Sequence, residues 1–155
     1  DLSNPNDKAL LQAIEDDMIE AYGKLIVETM CKAGAGGKVD LKCKMIRACH
    51  AEALCEAVNK YDVKELNLGS NQLDDAGTEA IAAMLRTNGS LTHLDLRSNN
   101  GIHEPALAEA LRSNTSLTYL DLRGNLGSID EQGRDDFRDA VAGREGFELI
   151  HDWRL

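Results

Sequence analysis

Apolar residues between positions 63 and 125 recur in one short phrase. Val63-Lys64-Glu65-Leu66-Asn67-Leu68-Gly69-Ser70-Asn71 is followed by Leu91-Thr92-His93-Leu94-Asp95-Leu96-Arg97-Ser98-Asn99, and then by Leu117-Thr118-Tyr119-Leu120-Asp121-Leu122-Arg123-Gly124-Asn125. Each reads apolar-x-x-Leu-x-Leu-x-x-Asn, with 28 residues from Leu66 to Leu94 and 26 from Leu94 to Leu120. A period of this size marks an architecture in which each unit buries its apolar face against the next. The two-residue alternation inside the phrase predicts a strand with its leucines on one face. Behind each strand the apolar spacing becomes helical, as in Leu54, Ala57 and Val58 or Leu107, Ala110 and Leu111. Helices are predicted over 47–59, 76–87, 104–113 and 131–142, with Pro105 suited to a first helical position.

The same ruler finds two degraded copies, Val39-Asp40-Leu41 at 27 residues before Leu66 and Phe147-Glu148-Leu149 at 27 after Leu120. Five parallel strands are therefore expected. Where an Asn would close the outer phrases stand Lys44 and Asp152, so 38–62 and 146–155 are read as degenerate capping repeats. Upstream, Leu11, Ile14, Met18, Tyr22, Leu25, Ile26 and Met30 form a stripe that predicts one long helix over 4–32, opened by Asn4 and Pro5. Gly34, Gly36 and Gly37 end it, which makes 4–37 a helical cap on a single domain, 1–155. Trp153 and Leu155 are expected to seal the far end.

Strand alternating with full helix at about 28 residues, carrying these Leu and Asn positions, resembles the ribonuclease-inhibitor type of leucine-rich repeat over about 38–150. The resemblance implies an α/β fold: a right-handed solenoid, a horseshoe segment with the parallel sheet inside and α-helices outside. It implies that Asn71, Asn99 and Asn125 bond backbone groups of the turn. It also implies a protein-binding scaffold, as in cytoskeletal capping proteins of the tropomodulin kind, innate-immune sensors, axonemal subunits and enzyme inhibitors. A short five-strand array and strand-entry turns such as Asn88-Gly89-Ser90-Leu91 are shared with tropomodulin-like domains, without a recognisable actin-binding motif.

Charge narrows the partners. Seventeen basic against 27 acidic residues give a net charge of −10, the wrong sign for binding nucleic acid by counterion release. The 155 residues suffice for one domain, and no apolar run approaches the roughly 20 a membrane helix needs. The chain opens on Asp1 rather than Met, as expected if a leader or longer N-terminal region were removed or left out. Four cysteines, all within the first 55 residues, are unlike a disulfide scaffold and point to a reducing, cytoplasmic setting.

Candidate chemistry lies on the inner strand face. Its middle column is Asp40, Asn67, Asp95, Asp121 and Glu148; beside it run Lys42, Gly69, Arg97, Arg123 and Ile150, and on the other side Lys38, Glu65, His93, Tyr119 and Gly146. With strands about 4.8 Å apart, Asp95 and Asp121 repel unless Arg97 and Arg123 neutralise them. His93, Asp95, Arg97, Tyr119, Asp121 and Arg123 form the candidate partner-binding patch, since Tyr and Arg commonly anchor interfaces. The plainer alternative is a repeat consensus that binds nothing. Asp95 with Asp121, or His93 with Asp95, could be read as acid–base pairs, but an open sheet lacks the sheltered pocket that such chemistry needs. Neither an enzyme nor a cofactor or metal site is expected.

Three further patterns carry bland readings. Cys43, Cys49 and Cys55 with His50 do not match the short pairs of zinc modules and are expected as buried free thiols. Asn88-Gly89-Ser90 and Asn114-Thr115-Ser116 fit the glycosylation pattern, but their equivalent repeat positions argue for turn chemistry. The glycine-rich 33–38 segment lies between helix and strand, the reverse of a phosphate loop. The expected function is a non-catalytic module binding a protein through its inner sheet face. The alternative is a structural subunit of a larger cytoskeletal or axonemal assembly, held through the N-terminal helix and the Trp153 end.

Overall fold

The computed structural model describes residues 5–33, 36–99, 101–125 and 129–153. In chain order come helix α1 (Pro5–Ala33), β1 (Lys38–Asp40), a 3-10 turn (Ala48–His50), α2 (Ala51–Lys60), β2 (Glu65–Asn67) and α3 (Asp75–Thr87). Then follow β3 (His93–Asp95), α4 (Glu104–Ser113), β4 (Tyr119–Asp121), α5 (Glu131–Val141) and β5 (Glu148–Ile150). The strands form one parallel sheet in the order β1-β2-β3-β4-β5, and consecutive helices pack on one another. This is an α/β solenoid. Val39, Leu66, Leu94, Leu120 and Leu149 stand in register across it. Val63, Leu91 and Leu117 before the strands, and Leu68, Leu96 and Leu122 after them, are buried as well. Each repeat thus fills its core from one strand face and one helix stripe.

Past the three-residue strands, backbone bonds such as Leu68 N–H to Asp95 O and Ser70 N–H to Arg97 O continue the pairing, and side chains brace the turn within each repeat. In successive repeats the Oδ1 of Asp40, Asn67, Asp95 and Asp121 accepts the backbone N–H two residues on, at 3.0 to 3.1 Å. The next turn passes through left-handed backbone at Cys43 (φ 57°), Ser70 (φ 55°), Ser98 (φ 53°) and Gly124 (φ 75°). Buried Asn then closes it. Asn99 Nδ2 donates to Leu68 O at 3.0 Å and Leu96 O at 3.1 Å, while its Oδ1 accepts Leu73 N at 3.2 Å. Asn71 and Asn125 bond their turns in the same manner.

A second ladder runs where helices return to strands. Asn88 Oδ1 accepts from Ser90 N and Leu91 N, and Asn114 Oδ1 from Ser116 N and Leu117 N. Their amide nitrogens donate to Asn59 Oδ1 and to Leu85 O and Asn88 O. Both residues are buried with their amides engaged, so these motifs are turn elements. In the last repeat, Arg144 donates to Leu111 O and Leu117 O instead, its guanidinium 4.4 Å from the Phe147 ring centre.

Several expectations need correction. The helix expected from 47 begins as the 3-10 turn Ala48–His50, which turns His50 inward and Cys49 outward. Cys43 and Cys49 are exposed and Cys55 half-buried, so the three are not buried core thiols. On α1, Ile26 and Met30 are buried, but Leu25 is 41% exposed and drops out of the expected stripe; Val27, which was not in it, is 38% exposed. The last strand is offset by two residues: Leu149, not Phe147, lies opposite Leu120, and Ile150 opposite Asp121. Gly143 and Gly146, at φ 76° and 75°, make the extra turn that absorbs them. Glu148 therefore pairs with Tyr119, Gly146 precedes the strand, and Asp152 accepts Gly124 N at 2.9 Å. Asn4, Gly34 and Leu155, and the side chains of Leu11, Ile14 and Met18, lie outside the described residues.

Asp74 and Asp130 cap α3 and α5 by accepting Gly77 N and Gly133 N. Beside the second cap, Glu104 presses on the first turn of α5, where a Cβ at Gly133 would stand 2.3 Å from its carboxyl carbon. Burial first, and then the Asp130 charge, push the Glu104 carboxyl up. A raised carboxyl pKa means that the folded chain holds the proton more tightly, so this contribution is present in acid and lost as pH rises through the folded value. Glu104→Gln is therefore expected to raise the melting temperature at pH 7 by about 2 °C, with the gain vanishing near pH 4. Thermal melts at both pH values check this.

Candidate functional site

On the open sheet face, β3 and β4 bring the six candidate residues together, with His93 opposite Tyr119 and Asp95 opposite Asp121. Two carboxylates on adjacent strands are tolerable because each receives a side-on guanidinium. Arg97 Nε lies 3.0 and 2.9 Å from the Asp95 oxygens and its Nη2 2.6 Å from Oδ2. Arg123 repeats this on Asp121, with Nε at 3.0 Å and Nη2 at 2.6 Å. Arg97 Nε also stands 3.4 Å from Asp121 Oδ2, which joins the two pairs into one network.

Asp121 is 0% exposed. Burial pushes its carboxyl up, but hydrogen bonds from the Arg123 side chain and backbone, with the Arg123 and Arg97 charges, outweigh this and hold it below the ordinary value. Its contribution to stability is present above that ordinary value and lost as acid titrates the folded group. Arg123 is pushed up by the same pair. A carboxyl held ionised between guanidinium groups is poorly suited to proton transfer at neutral pH. Asp95 and Asp121 are turn acceptors and anchors for the arginines, a double role that their repeat position foreshadowed only in part.

The remaining members face outward. His93 is exposed and its ring stacks on Tyr119 with centres 5.4 Å apart and planes 22° apart. Thr92 Oγ1 is 2.9 Å from His93 Nδ1. Tyr119 Oη donates to Asp121 Oδ2 at 3.4 Å, and burial, followed by the Asp121 charge, pushes its phenol up. Across a depression of about 250 Å³ from this stack stands the Lys38–Glu65 pair at 2.8 Å. The Lys38 hydrogen bond holds Glu65 low. Asn67 and Leu66 complete the floor.

Among the described residues, no group of three or more His, Cys, Asp or Glu side chains is arranged to hold a metal. None of the described helices is long and apolar enough to cross a membrane.

Comparison with known proteins agrees with the repeat. A family model described as leucine-rich repeat matches residues 62–82, 87–105 and 113–125. None of the curated proteins matches. Among solved structures, a chain titled Leiomodin-1 Actin-Binding Site 2 (ABS2) superposes with a TM-score of 0.71. It is 23% identical and covers 84% of this chain and 79% of its own.

Proposed function

The chain is a leucine-rich-repeat protein, and we propose that it is a non-catalytic interaction module that takes a protein partner on the open face of its sheet. One observation carries this reading: beside the buried Asp121, the exposed His93, the Tyr119 ring and the outer edges of Arg97 and Arg123 occupy one neighbourhood of β3 and β4. Core packing does not require a stacked His–Tyr pair there, whereas rigid aromatic and guanidinium groups suit an interface anchor. We read 4–37 as a helical cap, 38–150 as the repeats and both ends as degenerate repeats of one domain. Free thiols fit a reducing compartment, so the cytoplasm is the proposed location.

The leiomodin-1 segment that shares the fold is titled an actin-binding site, which makes actin the first partner to try. The variant His93→Ala/Tyr119→Ala keeps both Arg–Asp pairs and gives up only the long Tyr119 bond to Asp121, whereas removing the arginines would strand Asp121 and confuse folding with binding. Actin co-sedimentation and anisotropy with monomeric actin are expected to show binding by the parent, weakened at least about tenfold in the variant. Parent and variant binding alike would reject the sheet face. A parent that binds neither form of actin would remove actin, and the same pair would then be compared in pulldowns from native lysate.

The assembly reading keeps one specific support. Leu25 and Val27 are exposed on α1, and Val27 with Gly23 and Ala53 lines a shallow apolar trough of about 390 Å³. Loss of partner binding in Leu25→Ser/Val27→Ser, with His93→Ala/Tyr119→Ala unaffected, would favour it.

A further inference from the structure

Arg97 and Arg123 stand side by side on the open sheet face, because backbone pairing continues past the strands. Leu96 N–H reaches Asp121 O at 2.9 Å, and Ser98 N–H reaches Arg123 O at 2.9 Å. Each guanidinium turns one edge inward: Nε and Nη2 of Arg97 hold Asp95, and the same two atoms of Arg123 hold Asp121. Among the described residues no hydrogen bond is found from Nη1 of either side chain. The outer end of each planar group, with Nη1 and the second Nη2 proton, is thus left for an acceptor from outside.

Exposure separates the two signs of charge. The arginine side chains are 36% and 45% exposed, whereas Asp95 is 15% and Asp121 0% exposed. An arriving group therefore meets guanidinium and not carboxylate, although the two pairs together are neutral. The inner aspartates also fix both arginines before anything binds, which removes much of the rotamer entropy that a flexible cation would lose. Two like charges on strands about 4.8 Å apart repel each other, and an anion lying across their outer ends relieves that repulsion. The His93–Tyr119 stack lines the same depression as Arg97.

Resting on the reading of the sheet face as the partner site, we propose that the segment it takes is acidic, with Asp or Glu carboxylates of the partner seated on the outer ends of Arg97 and Arg123. A guanidinium meets a carboxylate with two parallel N–H donors, a geometry that an ammonium group does not offer. The chain as a whole, at a net charge of −10, repels such a segment at a distance. Preference for it is a contact property, exerted within the roughly 8 Å over which charges remain unscreened at about 0.15 M salt.

Fluorescein-labelled hexa-aspartate and hexa-asparagine peptides are titrated with the full chain at about 0.15 M salt and followed by anisotropy, and amide shifts in isotope-labelled protein locate the site. Hexa-aspartate is expected to bind at least about tenfold more tightly than hexa-asparagine, with the largest shifts at 95–98 and 121–124. Asp95→Asn/Arg97→Gln removes one guanidinium together with its counterion and leaves Asp121 its Arg123 partner. Asn67 already fills the equivalent place one repeat earlier, accepting Gly69 N at 3.0 Å. This variant is expected to bind hexa-aspartate about fivefold more weakly, and Arg97→Lys, which keeps the charge and gives up the paired donors, about threefold more weakly. Absence of hexa-aspartate binding, shifts confined to other elements, or unchanged binding by a folded variant would overturn the proposal. So would tighter binding of a hexapeptide with one phosphoserine among asparagines, which would make phosphate the anion. The sheet-face reading is tested separately: a partner lost with His93→Ala/Tyr119→Ala but retained by Asp95→Asn/Arg97→Gln keeps that reading and removes the acidic class, whereas a partner retained by both variants removes the two together.

Discussion

Asn99→Ala is expected to lower the free energy of unfolding by about 3 kcal/mol, read in urea titrations. The side chain is 0% exposed and ties its own repeat to the preceding one. Its amide nitrogen reaches Leu68 O in the preceding repeat and Leu96 O in its own, and its oxygen accepts Leu73 N, for which no other acceptor is found among the described residues. Alanine leaves that donor buried and unpaired and opens a void beside it. The carbonyls lose less, because Asn71 still donates to Leu68 O and Asn125 to Leu96 O. The Leu73 N–H therefore dominates the cost. A loss below about 1 kcal/mol would mean that water enters and pairs the donor.

Gly101→Ala has a similar expected cost for a steric reason. A Cβ at this position would stand 2.3 Å from Asp74 Cα, 2.7 Å from its carbonyl carbon and 2.9 Å from Asp75 N. These are backbone atoms at the capped start of α3, so no side-chain rotation relieves the clash. The Gly101 carbonyl is also tied to the buried Thr78 hydroxyl at 2.6 Å, which limits retreat on the other side. Forcing the two repeats apart costs about 3 kcal/mol, and the buried Thr78 bond is lost with it. A variant that melts within about 2 °C of the parent would show that the turn has another conformation within reach.

Much of this architecture is legible because the repeat makes each side chain do the same work several times. Leu66, Leu94 and Leu120 announce the strands, and Asn71, Asn99 and Asn125 the turns, since a buried amide that satisfies backbone groups leaves little choice of residue. The opposition of Asp95 and Asp121, and its neutralisation by Arg97 and Arg123, followed from strand spacing. What escaped were local changes of phase. A 3-10 turn advances about 120° per residue instead of about 100°, enough to turn His50 inward and Cys49 outward where an α-helix was expected. Gly143 and Gly146 insert a turn whose length no apolar period encodes, and so displace β5 by two positions. Arg144 replaces an Asn of the second ladder with a residue type that gives no hint of the role. The close approach of the Asp74 backbone to Gly101 joins residues 27 apart and has no mark in the local sequence.

The two rows of side-chain amides also bear on turnover. Each hands hydrogen bonds to the repeat beside it, so a repeat holds its shape through its neighbours more than through its own three-residue strand. A protease that must open one loop to cut it would have to break bonds belonging to the next unit as well. Local opening therefore spreads along the array, and degradation of this protein would follow the stability of the array as a whole more than the exposure of any one loop.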